Sequence, residues 1–226
     1  MTAEQLNREV LNLTDHNHTY SDQIYALTLA MIDIDEVRFE KVMARNIMQF
    51  GLEKTMINIV YPFLVKMGLM WQTGSITPAQ EHFMSNLIRQ KLIVAIDGQY
   101  GVPKEGSKKF MLYLGEGELH ELSLLFTHYL VKSRHHKSIY LGQWLPYQDL
   151  EDMYKTHRPD YLVTVLTSQP FNMEVDTYIT KLATSFPDVN IVLSGYQTIG
   201  LSMKLPANVR IIKNIESFIT FLDEEL

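Results

Sequence analysis

The segment Lys109-Phe-Met-Leu-Tyr-Leu-Gly115-Glu-Gly-Glu118-Leu-His120 decides how the second half of this chain folds. Residues 110–114 form a short apolar run of the kind that predicts a buried strand, and two glycines end the run. A helical stretch begins at Leu119. We therefore expect a strand that brings His120 to the start of a helix, at the carboxyl end of a parallel sheet, where such sheets bind ligands.

Glu118 lies two residues before His120 in this segment. A carboxylate in that position can hold one ring nitrogen of the imidazole, so that the other nitrogen can coordinate a metal. A histidine at a strand-to-helix turn more commonly caps the helix or packs against it. The pair alone therefore leaves a structural interpretation and a metal-binding interpretation open.

The chain from residue 108 onward alternates between two patterns. Apolar runs bounded by turns predict strands at 110–114, 138–141, 161–166, 190–193 and 209–211. Amphipathic stretches between them predict helices at 119–132, 147–156, 175–185, 198–203 and 215–224. This alternation predicts an α/β fold with a doubly wound, parallel, five-stranded sheet.

The first hundred residues repeat their apolar positions at three- and four-residue spacing and predict a four-helix bundle. Asp33 and Asp35 lie between the first two helices as candidate N-caps. Pro62 should end or kink the third helix. Thr77 and Pro78, with Glu81 in the first turn, predict a clear start for the fourth.

These patterns predict four segments along the chain. Residues 1–20 lack periodicity and are expected to be a leader, residues 21–100 form the helical bundle, and residues 101–107 form a Gly- and Pro-containing linker. Residues 108–226 form the sheet domain.

The composition excludes several kinds of function. The 226-residue chain has no cysteine, so thiolate metal sites, disulfides and cysteine nucleophiles are ruled out. A formal net charge of −6 argues against binding to a phosphate backbone. The sequence has neither a membrane-length apolar run nor a signal-peptide pattern, and we expect a cytoplasmic protein without a membrane partner.

The helical half carries one unusual group, Trp71 followed after a turn by Glu81-His82. The turn should bring the indole back toward the carboxylate and the imidazole. A large flat cofactor with an exchangeable face needs such groups over one cavity. The alternative is structural: Trp71 closes the end of the bundle and Glu81 is the capping-box partner of the local turn.

The sheet half offers small or polar residues at other strand ends, where they are expected to surround His120. Gly195 permits close approach to the backbone, and hydroxyl groups can donate hydrogen bonds into the crevice. Ordinary turn and strand preferences explain the same residues equally well. The residues are Leu145 before Pro146, Thr164, Thr167, Ser194 and Gly195.

Taken together, the motifs resemble the C-terminal cobalamin-binding, light-sensing module of MerR-type transcriptional regulators, from about residue 22 onward. The motifs are Trp71-x9-Glu81-His82, Glu118-x-His120-x-x-Ser123, the segment 140–146 and Ser194-Gly195. The resemblance implies a helical cap and a Rossmann-like, flavodoxin-like sheet domain with cobalamin between them.

The resemblance also implies a role for individual residues. His120 corresponds to the lower axial cobalt ligand and Glu118 to its hydrogen-bonded partner. Trp71 and Glu81 correspond to residues that cover the upper, adenosyl face, and His82 to a ligand that reaches cobalt after the adenosyl group is lost.

Three positions are less regular matches to the family pattern. Thr164 is an uncertain match to a residue that contacts the nucleotide tail. Ser123 and Ser194 stand where the family prefers glycine, which implies a narrower channel for that tail.

The leading hypothesis is a cobalamin-binding sensor domain that uses adenosylcobalamin, responds to light as a photoreceptor, forms homo-oligomers and catalyses no reaction. The winged helix-turn-helix of the family is absent, since residues 1–20 are too short for one. DNA is therefore expected to be contacted only through a segment outside this chain. The alternatives are a corrinoid shuttle protein of a methyltransferase system and a degenerate, ligand-free interaction module.

Overall fold

The structure is a computed structural model that describes residues 20–224. The predicted leader, apart from Tyr20, lies outside the described residues. The helices are α1 Ser21–Asp33, α2 Glu36–Thr55, α3 Tyr61–Gln72, α4 Pro78–Asp97, α5 Leu122–Ser133, α6 Tyr147–His157, α7 Val175–Ser185 and α8 Ile215–Glu224. The strands are β1 Lys109–Gly115, β2 Lys137–Leu145, β3 Tyr161–Val165, β4 Asn190–Ser194 and β5 Val209–Ile211.

The described chain divides into two compact units, up to Gln90 and from Lys91 onward. The first unit is helical. In it, α2 is kinked at Gly51 (φ 79°), and a π-helical turn, Met56–Val60, joins α2 to α3. The wide turn lies directly before Pro62, whose ring cannot fit inside a regular helix. The predicted effect of this proline is therefore a local widening of the helix.

Only one of the two predicted aspartate caps begins a helix. Asp35 is the N-cap of α2, and its Oδ1 accepts a hydrogen bond from the Arg38 backbone N–H at 2.9 Å. Asp33 is instead the last residue of α1, and its carboxylate accepts a hydrogen bond from the Arg38 guanidinium at 2.7 Å. The prediction for Asp33 was wrong because Ile34, in the left-handed conformation (φ 52°), ends α1 one residue later.

The second unit contains a parallel sheet with the strand order β2-β1-β3-β4-β5. Alternate residues of the central strands face opposite layers of helices. Met111 and Leu162 pack into a core with residues of α6 and α7, while Phe110 stacks on Tyr161, which contacts Phe221 of α8. The predicted doubly wound α/β fold is therefore confirmed.

Two predicted elements in this unit differ from the structure. The helix predicted at 198–203 is a short 3-10 turn, Tyr196–Thr198, because the next residue, Ile199, is already extended (φ −76°, ψ 124°) and Gly200 then adopts a left-handed conformation (φ 77°). Helix α5 begins at Leu122, three residues later than predicted, because residues 118–120 are used in side-chain and backbone hydrogen bonds of the loop.

Candidate functional site

Glu118 and His120 form a tightly bonded pair in the loop after β1. The Glu118 side chain is only 7% exposed, and its Oε1 lies 2.6 Å from His120 Nδ1 and 3.0 Å from the His120 backbone nitrogen. Its Oε2 accepts hydrogen bonds from the backbone N–H groups of Thr167 and Ser168 at 2.9 and 2.7 Å. One buried carboxylate thus connects the loops that follow β1 and β3.

These contacts determine the ionisation state of Glu118. Burial alone disfavours a carboxylate and raises its pKa, but the hydrogen bonds from the His120 ring and from the His120 and Ser168 backbone outweigh it. The net effect lowers the pKa of Glu118 from 4.5 to about 2. Because the carboxylate is ionised, the 2.6 Å contact requires a proton on His120 Nδ1, and the carboxylate thereby fixes the orientation of the ring.

His120 itself projects outward, and its side chain is 66% exposed. It stands at the carboxyl edge of the sheet, where the end of β2 and the loops after β1, β3 and β4 also present large apolar side chains to solvent. These side chains are Leu119, Trp144, Phe171, Tyr196 and Ile199, each more than half exposed. We call them the apolar rim; exposed apolar groups in such number at one edge are typical of a binding surface.

Gly195 follows β4 at a point where two backbones nearly touch. A Cβ atom at this position would lie 2.6 Å from the Leu166 carbonyl oxygen, and the glycine has a φ of 104°. Ser194 contributes its carbonyl oxygen, which accepts a hydrogen bond from the Leu166 N–H at 2.8 Å. This close approach positions the loop after β3, whose next two N–H groups hold Glu118.

The remaining predicted residues of the sheet domain have different environments. Thr164 is fully buried, and its hydroxyl has no hydrogen-bond partner in the part of the chain that the structure describes. Thr167 contributes a backbone N–H to the pair rather than the predicted hydroxyl. Ser123 lies in the first turn of α5. Leu145 ends β2 opposite Gly115.

A cavity of about 80 Å³ lies beneath the Glu118 loop. Leu145 and Glu118 line it together with groups that the sequence analysis missed, among them Ser168 and the buried Tyr113 and Tyr178, whose hydroxyl oxygens are 3.4 Å apart. Alternation along β1 could have placed Tyr113 in the interior. No side-chain pattern could have revealed Ser168, because it acts through its backbone N–H.

In the helical unit, Trp71 lies in the last turn of α3 and is 56% exposed. Glu81 and His82 lie in the first turn and a half of α4, with His82 Nε2 at 3.4 Å from Glu81 Oε2, and Ser85 donates a hydrogen bond to Glu81 Oε1 at 2.6 Å. The reciprocal cap of α4 uses Gln80: its side-chain oxygen accepts from the Thr77 N–H at 2.9 Å, and its own N–H donates to Thr77 Oγ1.

The structural alternative for Glu81, that of a capping-box partner, was therefore wrong. Gln80 occupies the position three residues after the N-cap that the capping box requires. The carboxylate of Glu81 is instead shared between Ser85 and the adjacent His82.

Between residues 20 and 224, no cluster of three or more His, Asp or Glu side chains is arranged to hold a metal ion. Among the same residues, no helix has the length and apolar character needed to cross a membrane. His120 with Glu118 thus offers a single oriented imidazole.

The described residues thus form a helical unit and an α/β unit with an oriented imidazole at the carboxyl edge of its parallel sheet. Comparison with known proteins shows what this chain is similar to. Residues 23–95 match the family described as B12 binding domain. The chain is 24% identical over 172 residues to the HTH-type transcriptional repressor CarH of Myxococcus xanthus, a match that covers 76% of this chain and 56% of CarH.

The fold is also that of the monomethylamine corrinoid protein of Methanosarcina barkeri, with a TM-score of 0.66 and 9% identity over 87% of this chain and 95% of that protein. Residues 23–95 thus match the B12 binding domain, and the chain is related to CarH and shares the fold of a corrinoid protein. These findings confirm the resemblance predicted from the motifs. The chain spans little more than half the length of CarH, at 56%.

Proposed function

We propose that this chain binds cobalamin through His120 and acts as the sensor domain of a transcriptional regulator, with adenosylcobalamin as its cofactor and light as its signal. The observation that carries the proposal is the Glu118–His120 pair at the carboxyl edge of the sheet. A buried, ionised carboxylate orients an exposed imidazole there, which is the arrangement of a metal-ligating histidine and the carboxylate that holds its other ring nitrogen.

The fit to cobalamin is supported by what surrounds the imidazole. A corrinoid needs one axial nitrogen from the protein and a broad apolar surface for its ring system, and the apolar rim offers that surface around the His120 edge. The close approach at Gly195 keeps the loop after β3 near the same edge.

The helical unit enters the proposal through its resemblance to the family. Trp71 and Glu81 are proposed to cover the upper face of the cofactor, and His82 to reach cobalt when that face opens. The high exposure of Trp71 (56%) and of the His82 side chain (72%) is consistent with groups that contact a ligand. When bound, adenosylcobalamin supplies a photolabile cobalt–carbon bond.

The proposed output is a change in self-association. Trp71 would cover the upper face of the bound cofactor, and the helical unit that carries Trp71 would offer a different surface to a second copy when that cover is no longer needed. One relative is an HTH-type transcriptional repressor, of which this chain spans 56% of the length. Any contact with DNA is proposed to lie outside residues 20–224. The chain's own residues bind, orient and cover the cofactor and perform no catalytic turnover.

The test is to add adenosylcobalamin to the purified chain in the dark, remove free cofactor, and record visible spectra and elution volume before and after green light. The expected result is protein-bound corrinoid, a spectral change on illumination and a shift in oligomeric size. His120→Ala should lose the axial-nitrogen spectrum, and His128→Ala is the matched control because His128 stacks on Tyr140 within the sheet domain (4.9 Å).

The absence of protein-bound corrinoid would reject cobalamin binding and leave a ligand-free interaction module. Binding without a response to light would reject the sensor function only. The second candidate, a corrinoid shuttle protein, shares the fold with the monomethylamine corrinoid protein. A shuttle does not need Trp71, so Trp71→Ala should abolish the light response of a sensor and leave a shuttle's methylcobalamin binding unchanged.

A further inference from the structure

Trp144 combines two features that each cost stability. It adopts a left-handed backbone conformation, with a φ of 55°, and its large apolar side chain is 52% exposed. Non-glycine residues rarely adopt this conformation, and the few that do are mainly Asn, Asp and His. A bulky residue held there calls for an explanation beyond the local turn.

The conformation results from how β2 pairs with β1. Tyr113 pairs with Gly142 and Gly115 with Leu145, so that Leu114 alone opposes the two residues Gln143 and Trp144. One extra residue in a strand is a bulge, which bends the strand and changes the direction of a side chain. A second extra residue, Leu141, lies one step earlier, between the partners of Leu112 and Tyr113.

The bulge has a structural explanation that accounts for the backbone but not for the side chain. Strand β2 is an edge strand, and bulges protect such edges from pairing with other chains. Glycine or asparagine at position 144 would form the same bulge and protect the edge equally well. Glycine already occupies a left-handed position in this strand at Gly142 (φ 77°). An indole at position 144 adds nothing to that protection.

The position of the bulge indicates what the indole contacts. Leu145, the next residue, pairs with Gly115 and lines the cavity that Glu118 also lines. The indole therefore belongs to the carboxyl edge that carries His120, and it is a member of the apolar rim. Bulges beside binding sites commonly direct a side chain toward the ligand.

We infer that Trp144 is a cofactor-contacting residue, aimed by the bulge of β2 at the periphery of the corrinoid that His120 holds. The inference rests on the proposed function. It assigns Trp144 to the ring system rather than to the upper ligand, because the residue belongs to the same edge as the lower axial histidine. Trp71, by contrast, is proposed to act on the upper ligand.

The experiment compares Trp144→Gly with wild type in two measurements. Glycine fits the left-handed conformation, so the melting temperature of the cofactor-free variant should stay within about 2 °C of wild type. Affinity should fall about tenfold, which corresponds to ~1.4 kcal/mol, and it should fall equally for adenosyl-, methyl- and hydroxocobalamin. Trp144→Phe, which keeps a flat ring, should recover most of the affinity.

Ile34→Gly is the matched control, because Ile34 is another exposed apolar residue with a positive φ (52°) and belongs to the helical unit. It should change affinity for none of the three cobalamins. Unchanged affinity in Trp144→Gly, a loss confined to adenosylcobalamin, or a large fall in melting temperature would each overturn the inference. A wild-type chain that binds no corrinoid would instead reject the proposed function itself.

Discussion

The buried Glu118 side chain is ionised because both of its carboxylate oxygens accept hydrogen bonds. Each oxygen accepts two hydrogen bonds, one oxygen from His120 and the other from the loop after β3. Hydrogen-bond donors stabilise the ionised carboxylate relative to its protonated form in the folded chain. The pKa of Glu118 is therefore lower in the folded chain than in the unfolded chain, and the free energy of unfolding depends on pH.

The sign of this dependence follows from the lowered pKa of Glu118. Stability from the ionised carboxylate is fully present above pH ~4.5 and is lost as the pH falls toward about 2. At ~1.4 kcal/mol per pKa unit, the contribution amounts to about 3 kcal/mol. We expect urea unfolding to show a free energy of unfolding that decreases steadily between pH 4.5 and 3, and Glu118→Gln to lose this part of the decrease.

Glu118→Gln should also cost about 2 kcal/mol at pH 7, because an amide NH₂ must face N–H donors. Glu116→Gln is the control: its carboxylate accepts one backbone N–H, from Tyr147 at 3.2 Å, and the variant keeps an acceptor. The control should cost less than about 1 kcal/mol. Equal losses in the two variants would contradict the role assigned to Glu118.

At the scale of elements, the start of α4 contains two sets of side chains with different roles. One set caps the helix, and the other is a candidate for cofactor binding. Thr77 and Gln80 cap the helix reciprocally, whereas Glu81 contacts Ser85 and His82. Thr77→Ala and Gln80→Ala should each lower the free energy of unfolding by about 1 kcal/mol, and a double-mutant cycle should show that the two effects are coupled.

Glu81→Ala should leave the stability of α4 within about 0.5 kcal/mol of wild type in the same unfolding measurement. Its effect should appear in cofactor binding alone. If Glu81→Ala destabilised the protein as much as Gln80→Ala does, Glu81 would have a structural role in α4.

The junction of β3 and β4 depends on a glycine. A Cβ at Gly195 would meet three backbone atoms of Leu166 within 2.8 Å, and backbone atoms cannot rotate away. We expect Gly195→Ala to cost several kcal/mol, measured by thermal unfolding, because clash and positive-φ strain add. Gly200→Ala tests the strain alone, since nothing lies within 4 Å of its added Cβ (φ 77°), and it should cost about 1 kcal/mol.

The order of elements was predictable, whereas their details were not. Strands β1, β3, β4 and β5 were located to within one residue because apolar runs bounded by turns depend on local sequence alone. Strand β2 continues to Leu145, four residues beyond the prediction, because its bulges depend on register with β1.

The site was predictable to the same extent. The sequence identified the pair Glu118 and His120, because its two-residue spacing is local. The second oxygen of Glu118 is held by backbone N–H groups of Thr167 and Ser168, which every residue type except proline possesses, so no residue pattern signals them.

For the whole molecule, helix α4 crosses the division between the two compact units. Its last turns belong to the second unit, where Leu92 and Ile96 are buried and the Ile96 carbonyl accepts a hydrogen bond from Lys132 Nζ at 2.9 Å. A sheet-domain fragment that begins at Gly98 lacks these contacts.

We expect a fragment of residues 91–226 to be more stable than one of residues 98–226 by about 3 kcal/mol, since two buried aliphatic side chains are retained. Urea unfolding of the two fragments measures the difference. A 91–226 fragment that carries Leu92→Ala and Ile96→Ala should behave like the shorter one. Equal stability of the two unsubstituted fragments would show that the end of α4 does not contribute to the second unit.

The irregular β2 also bears on aggregation. One border of the sheet is interrupted by extra residues and by two left-handed conformations, at Gly142 and Trp144, and the other border, β5, is only three residues long. Neither edge strand therefore presents a long, regular row of unpaired backbone N–H and C=O groups with which a strand of another chain could pair. Fibril formation by strand annealing is therefore disfavoured, and copies of this protein that assemble must recognise one another through side chains.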